Sequence, residues 1–216
     1  MTDLLVVHDL GAEGGRPWAE AFAGWDGAVA APDLPGHGAA PPPAGGHHEA
    51  GDAVFALVDH LSPPDGGAPI VVGVGTHGFV ARTFALGGRA RALVLVDGLG
   101  GPWLDVLERN AALRDARRAI LATPEALAPH RPGTTDVRAT LVAGPMDRDH
   151  ELRMLGSIPV PTLVVETPSS STPDADADAA VIPDHTLVRV ADSAAATVAA
   201  AVTEWWVTTR STDAPG

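Results

Sequence analysis

Six short apolar runs limit what this chain can fold into. Leu4-Leu5-Val6-Val7 is followed by His8-Asp9-Leu10-Gly11, and Ala28-Val29-Ala30-Ala31 by Pro32-Asp33-Leu34-Pro35-Gly36-His37-Gly38. Ile70-Val71-Val72-Gly73-Val74 breaks at Gly75-Thr76-His77-Gly78, and Leu93-Val94-Leu95-Val96 ends at Asp97-Gly98. Residues 162–165 and 186–190 supply two more. Strands that are continuously apolar, rather than alternating, suit a parallel sheet covered on both faces. Helical stretches separate them: 17–22 with Pro17 at an allowed early position, 49–61 with Val54, Leu57, Val58 and Leu61 at helical spacing, 79–86, and about 194–206. Strand and helix in alternation predict an α/β fold. In such open sheets ligands sit outside the carboxyl ends of the strands. His8-Asp9, Asp33, Gly75-Thr76-His77 and Asp97 therefore mark the edge to watch.

The 216 residues suit one domain. Residues 103–157 interrupt the alternation with an amphipathic helical stretch, broken by Pro124, Pro129, Pro132, Gly133, Gly144 and Pro145. They read as a small helical cap inserted in a core made of 1–102 and 158–209, with a disordered tail over 210–216. With no cysteine, disulfides, cysteine-ligated metals and a thiol nucleophile are excluded. Acids outnumber bases 27 to 14, a net charge of −13, and every base is Arg. Without lysine there is no Schiff-base chemistry and no P-loop lysine. So acidic a chain is repelled by phosphate backbones and anionic lipid, so neither nucleic acid nor membrane is expected as a partner. An acid precedes the first apolar run, which is too short for a signal sequence. No stretch approaches the ~18 apolar residues of a membrane helix. A soluble cytoplasmic protein is the expectation.

With the strands in place, the sequence resembles the α/β-hydrolase superfamily. LLVVHDLG is similar to its oxyanion strand and loop, APDLPGHG to the next strand and loop, VVGVGTHGFVA to the nucleophile elbow and ALVLVD to the strand after it. VPTLVV and TLVRV match the last two strands more loosely. The resemblance implies a mostly parallel six-stranded sheet with helices on both faces and a cap. It also implies where a Ser-His-Asp triad would stand. The family elbow reads Gly-x-Ser-x-Gly, on a sharp strand-to-helix turn. Here the frame that best fits the flanks puts Gly75 at the nucleophile position, and sliding by one puts Thr76 there. None of the serines lies in a Gly-x-Ser-x-Gly. The acid would be Glu166, after the fifth strand, or Asp97. The histidine would follow the last strand, where the chain reads Ala191-Asp192-Ser193-Ala194; the last histidine, His185, precedes that strand. Many relatives carry His-Gly where this chain has His8-Asp9. A carboxylate ~4 Å from a developing oxyanion opposes it by a few kcal/mol, or about a thousandfold in rate; a protonated Asp9 could instead donate a hydrogen bond. HDLG, GVGTHGFV and PWLD together resemble the NDRG branch of this fold, regarded as non-enzymatic.

Two functions from different classes follow. The first is a catalytically degenerate member, a small-molecule binding or interaction protein using His8, Asp9, Leu10, Gly75, Thr76 and His77 around the old pocket. It would take a small apolar or ester-like ligand and no cofactor. The second is an esterase-like hydrolase or a lyase with a rewired site. There His77 is the general base, oriented by Asp9 or Asp97, and Thr76 or water attacks. The reading set against it is that the elbow relaxed after losing its serine and His77 fills the cavity. His8 and Asp9 either contact ligand or cap the helix that follows. Asp33 braces its turn. His47-His48-Glu49 with His37 has no diagnostic ligand spacing, so no metal is expected. Asp174, Asp176 and Asp178 lack the glycine and terminal glutamate of a calcium loop and read as a helix start. Trp205 and Trp206, adjacent on one helix, point about 100° apart, so at most one packs squarely on the sheet.

Overall fold

The computed structural model describes residues 3–9, 12, 14–35, 37–40, 57, 67–99, 148–170, 172 and 174–212. In chain order these form β1 (Leu4–Val7), α1 (Arg16–Ala21), β2 (Val29–Ala30), β3 (Ile70–Val74), a 3-10 turn (Gly75–His77), α2 (Gly78–Leu86), β4 (Ala92–Val96), α3 (Arg148–Leu155), β5 (Thr162–Glu166), α4 (Ala175–Ala179), β6 (His185–Arg189) and α5 (Ala195–Thr212). The strands make one sheet in the order β2-β1-β3-β4-β5-β6, every neighbouring pair parallel. All their carboxyl ends therefore share one edge.

The register explains the continuous apolar runs. Leu5, Val7, Val71, Leu93, Leu95 and Val164 enter one core with Val80 and Phe84 of α2, Leu155 of α3 and Ala179 of α4. Leu4, Val6, Ile70, Val72, Val94, Leu163 and Val165 enter a second with Trp18, Phe22 and the α5 residues Val198 and Val202. Successive side chains alternate between these two faces, and both faces are covered, so neither set can be polar. Each fully buried Leu or Val contributes roughly 1.5–3 kcal/mol. Ion pairs tie the helices on the first face: Arg82 to Glu151 at 2.5 Å, both buried, and Arg148 to Asp178 at 2.8 Å.

The sequence expectations are met with shifted ends. β2 keeps two residues of its predicted four, and α5 continues through Thr212, past the boundary drawn at 209. Asp174 caps α4 by accepting the amide of Ala177 at 3.1 Å, the helix start that was expected. The expected helix over 49–61 lies outside the described residues apart from helical Leu57. Of the stretch expected to form a cap, residues 103–147 also lie outside them; α3, from the remainder, packs Leu155 into the first core. No helix among the described residues is long and apolar enough to cross a membrane.

Candidate functional site

The chain passes from β1 to β2 in one direction across the sheet and to β3 in the other, so the strand order switches between β1 and β3. At such a switch the loops part and leave a crevice at the carboxyl edge. His8-Asp9 and Gly75-Thr76-His77 leave the sheet there, brought level by the pairing of Val7 with Gly73.

Gly75 turns the chain from strand to helix with φ +53°. A side chain in this left-handed conformation is strained by roughly 1–2 kcal/mol. Of the two frames the sequence allows, the strained corner falls on Gly75. A Cβ built there would lie 2.3 to 2.5 Å from the carboxyl atoms of Asp9. The half-buried Asp9 carboxyl thus fills the volume that an elbow side chain would enter. Close packing continues behind the corner, where a Cβ on Gly78 would meet the Gly98 Cα at 2.7 Å.

Three histidines underlie this corner. His8 is fully buried. Its Nδ1–H donates to the Asp9 carbonyl at 2.9 Å, and its Nε2 accepts the Leu34 amide at 3.1 Å. That pair of bonds fits only the neutral ring, and burial holds its pKa below the usual histidine value, against the Asp9 carbonyl and the charge of Asp33. The His77 ring is also fully buried, and its Nδ1–H donates to the His8 carbonyl at 2.6 Å. His37, nearly as buried, donates from Nδ1 to the Pro35 carbonyl at 3.2 Å. Ring centroids lie 4.9 Å apart for His8 and His37, and 6.5 Å for each of the other two pairs, edge to face. His37 was considered only as a weak metal candidate. What could have placed it is the shared edge, because the loops after β1, β2 and β3 must meet there. Among the described residues no group of His, Asp or Glu is arranged to hold a metal ion. His47, His48, Glu49 and Leu10 lie outside them, and for Thr76 only the backbone is described.

Asp33 braces more than its own turn. Its carboxylate accepts the Ala39 amide and the Gly15 amide, each at 2.8 Å. Those amides, Ala39 first, hold its pKa below the usual carboxylate range. α1 begins at Gly15 without a side-chain cap of its own, so Asp33 serves that end from across the edge.

Beyond the carboxyl ends of β4 and β5 the same edge is built from hydroxyls. Asp97 closes β4 with φ +50°, a conformation rare for a residue with a side chain. Its Oδ1 accepts the Thr167 amide at 2.8 Å and its Oδ2 the Thr167 hydroxyl at 2.7 Å. The Thr167 oxygen accepts the Ser193 hydroxyl at 2.9 Å and the Ser169 amide at 3.0 Å. Ser193 and Ser169 hydroxyls meet at 2.7 Å. Since the Ser193 proton is spent on Thr167, Ser169 donates to Ser193, and the chain of protons runs inward to Asp97. Ser193 follows the last strand. Glu166, the other acid considered, is buried, and one carboxyl oxygen has no hydrogen-bond partner. Burial, with the Asp97 charge reinforcing it, raises its pKa against the Ser170 hydroxyl and Arg189. The structure thus places Asp9 and His77 together on Gly75 and His8, and ties Asp97 to Thr167.

Comparison with known proteins agrees with this architecture. Residues 4–212 match the family profile described as "Alpha/beta hydrolase family". The chain is similar in structure to a thermophilic esterase from Thermogutta terrifontis, at TM-score 0.68 and 21% identity over 96% of this chain and 90% of that one. It is similar to the enol-lactonase from Burkholderia xenovorans LB400, at TM-score 0.65 and 17% identity over 96% and 90%. A monoacylglycerol lipase from Paleococcus ferrophilus gives TM-score 0.66 and 18% identity over 95% and 93%. No curated protein matches the chain in sequence.

Proposed function

Because the chain belongs to the alpha/beta hydrolase family, we propose that it is a member that binds a small molecule at the carboxyl-edge crevice without hydrolysing it. One observation carries this reading. The strained corner of the elbow is a glycine, and the volume above its Cα is taken by the Asp9 carboxyl. A glycine cannot attack. A carboxylate in that volume would also repel the negative charge that develops on an acyl oxygen, by a few kcal/mol at ~4 Å. The ligand envisaged is small, apolar or ester-like, and no cofactor is invoked.

The rewired enzyme, with His77 as base, Asp9 or Asp97 as its orienting acid and Thr76 or water attacking, has weaker support. The His77 ring is shut away from solvent and its Nδ1–H is given to a backbone carbonyl rather than to a carboxylate. Both Asp97 oxygens are engaged by Thr167. The likeness to the NDRG branch is part of the same proposal and rests on the short motifs alone.

A panel of short-chain esters tests the choice. Wild type and His77→Ala should both show no turnover above buffer, while at least one panel member or its alcohol should raise the melting temperature of wild type. Turnover that disappears in His77→Ala would overturn the proposal in favour of the enzyme. Absence of any thermal shift would remove the binding role.

A further inference from the structure

A second concavity lies on the far side of the molecule from the crevice. It runs along the edge strand β6, at the amino ends of β5 and β6, with α5 as its other wall, and encloses about 520 Å³. That is within the usual range for small-ligand sites. Trp205 forms part of the wall, Thr162, Thr186 and Val188 line the strand side, and Asp184 and Glu204 flank it. None of the residues lining it is basic. Asp184 and Glu204 are solvent-exposed, and neither forms an ion pair among the described residues. The nearest arginine on the strand, Arg189, is given to Asp176 at 2.5 Å.

Trp206, next along α5, shows what an indole does at this end of the helix. The Arg91 guanidinium carbon sits 5.3 Å from its ring centroid, the distance at which a cation is attracted to an aromatic face. Trp205 faces the groove instead, half-buried, in contact with Trp206 at a ring separation of 6.0 Å. A groove lined by an indole and two carboxylates, with no base among its lining residues, on a chain of net charge −13, selects for positive charge. It selects against carboxylates and phosphates. The hydroxyl-lined strand side disfavours a purely apolar occupant.

We propose that this groove is a binding site for a small organic ammonium ion, seated against Trp205 with Asp184 and Glu204 on either side. The site is separate from the crevice and does not depend on how the crevice is read. Both carboxylates are exposed side chains, so their amides should fold like wild type.

Choline and its neutral isostere 3,3-dimethylbutan-1-ol are suitable probes, titrated into 15N-labelled protein while the tryptophan indole N–H signals are followed. Trp205→Phe assigns the relevant signal. The expected result is a saturable shift of the Trp205 signal with choline, with a dissociation constant on the order of 1 mM. The isostere should bind at least about fivefold more weakly. Glu204→Gln or Asp184→Asn should weaken choline by about threefold each, and the double variant by about tenfold. Equal affinity for choline and the isostere would overturn the proposal, as would an unchanged choline affinity in Asp184→Asn/Glu204→Gln. Shifts confined to indoles other than Trp205 would overturn it as well.

Discussion

The carboxyl edge of the sheet is built in two different ways at the ends of β3 and β4. After β3 the backbone makes a strained turn at Gly75, and the Asp9 carboxyl reaches over that glycine from the neighbouring strand. At the other end the carboxylate of Asp97 is held by two hydrogen bonds, but its partners are Thr167 and, through it, Ser193 and Ser169. One end is governed by volume and the other by hydrogen bonding. The fold holds both because each loop is fixed by strand register, which does not care what chemistry the loop carries. That separation of scaffold from site is why fold alone does not determine function.

The difference can be broken experimentally. The largest effect should come at the elbow. Gly75→Ala must adopt a left-handed φ and displace the Asp9 carboxyl, costing about 3 kcal/mol, or on the order of 10 °C in melting temperature. In an Asp9→Ala background the same change should cost only about 1–2 kcal/mol, because only the backbone strain remains. An equal cost in both backgrounds would mean that Asp9 does not fill the elbow.

A smaller effect is expected at the hydroxyl end. Thr167→Val keeps the shape but removes the hydroxyl shared by Asp97 and Ser193, and should cost about 2 kcal/mol by urea denaturation. Asp9→Ala should add to it independently, as changes without shared partners do. A coupling larger than about 0.5 kcal/mol would show that the two ends form one network.

The smallest effect concerns Glu166, whose pKa is raised in the fold by burial. The folded state therefore holds its proton where the unfolded chain has lost it. Stability contributed by the neutral form is complete below the ordinary glutamate range and is lost as pH rises through the elevated folded value. Wild type should thus lose stability relative to Glu166→Gln over that interval. Parallel pH profiles of the two proteins would contradict the shift.

Much of the fold was readable in the sequence because continuous apolar runs of four or five residues have few other uses. The positions of β1, β3, β4 and β5 follow from them within a residue. β2 was harder: with Ala at three of four places, little side-chain volume fixes its ends. The site was readable residue by residue but not as contacts. That Asp9 would sit on Gly75 depends on the register of two strands about sixty residues apart, and on one left-handed glycine that the sequence leaves undecided between two frames. The same holds for Thr167 and Ser193, which become neighbours only through the pairing of β5 with β6. His37 lies four residues beyond Asp33 in a loop rich in Pro and Gly, and nothing in those residue types says that its ring turns back toward His8 and His77.

The central claim is that no side chain stands ready to attack at the elbow. Intact-mass analysis of the native protein after exposure to a fluorophosphonate tests it most directly. The account predicts an unmodified mass under conditions that label a serine hydrolase to completion. A stoichiometric adduct mapped to Thr76 would contradict it.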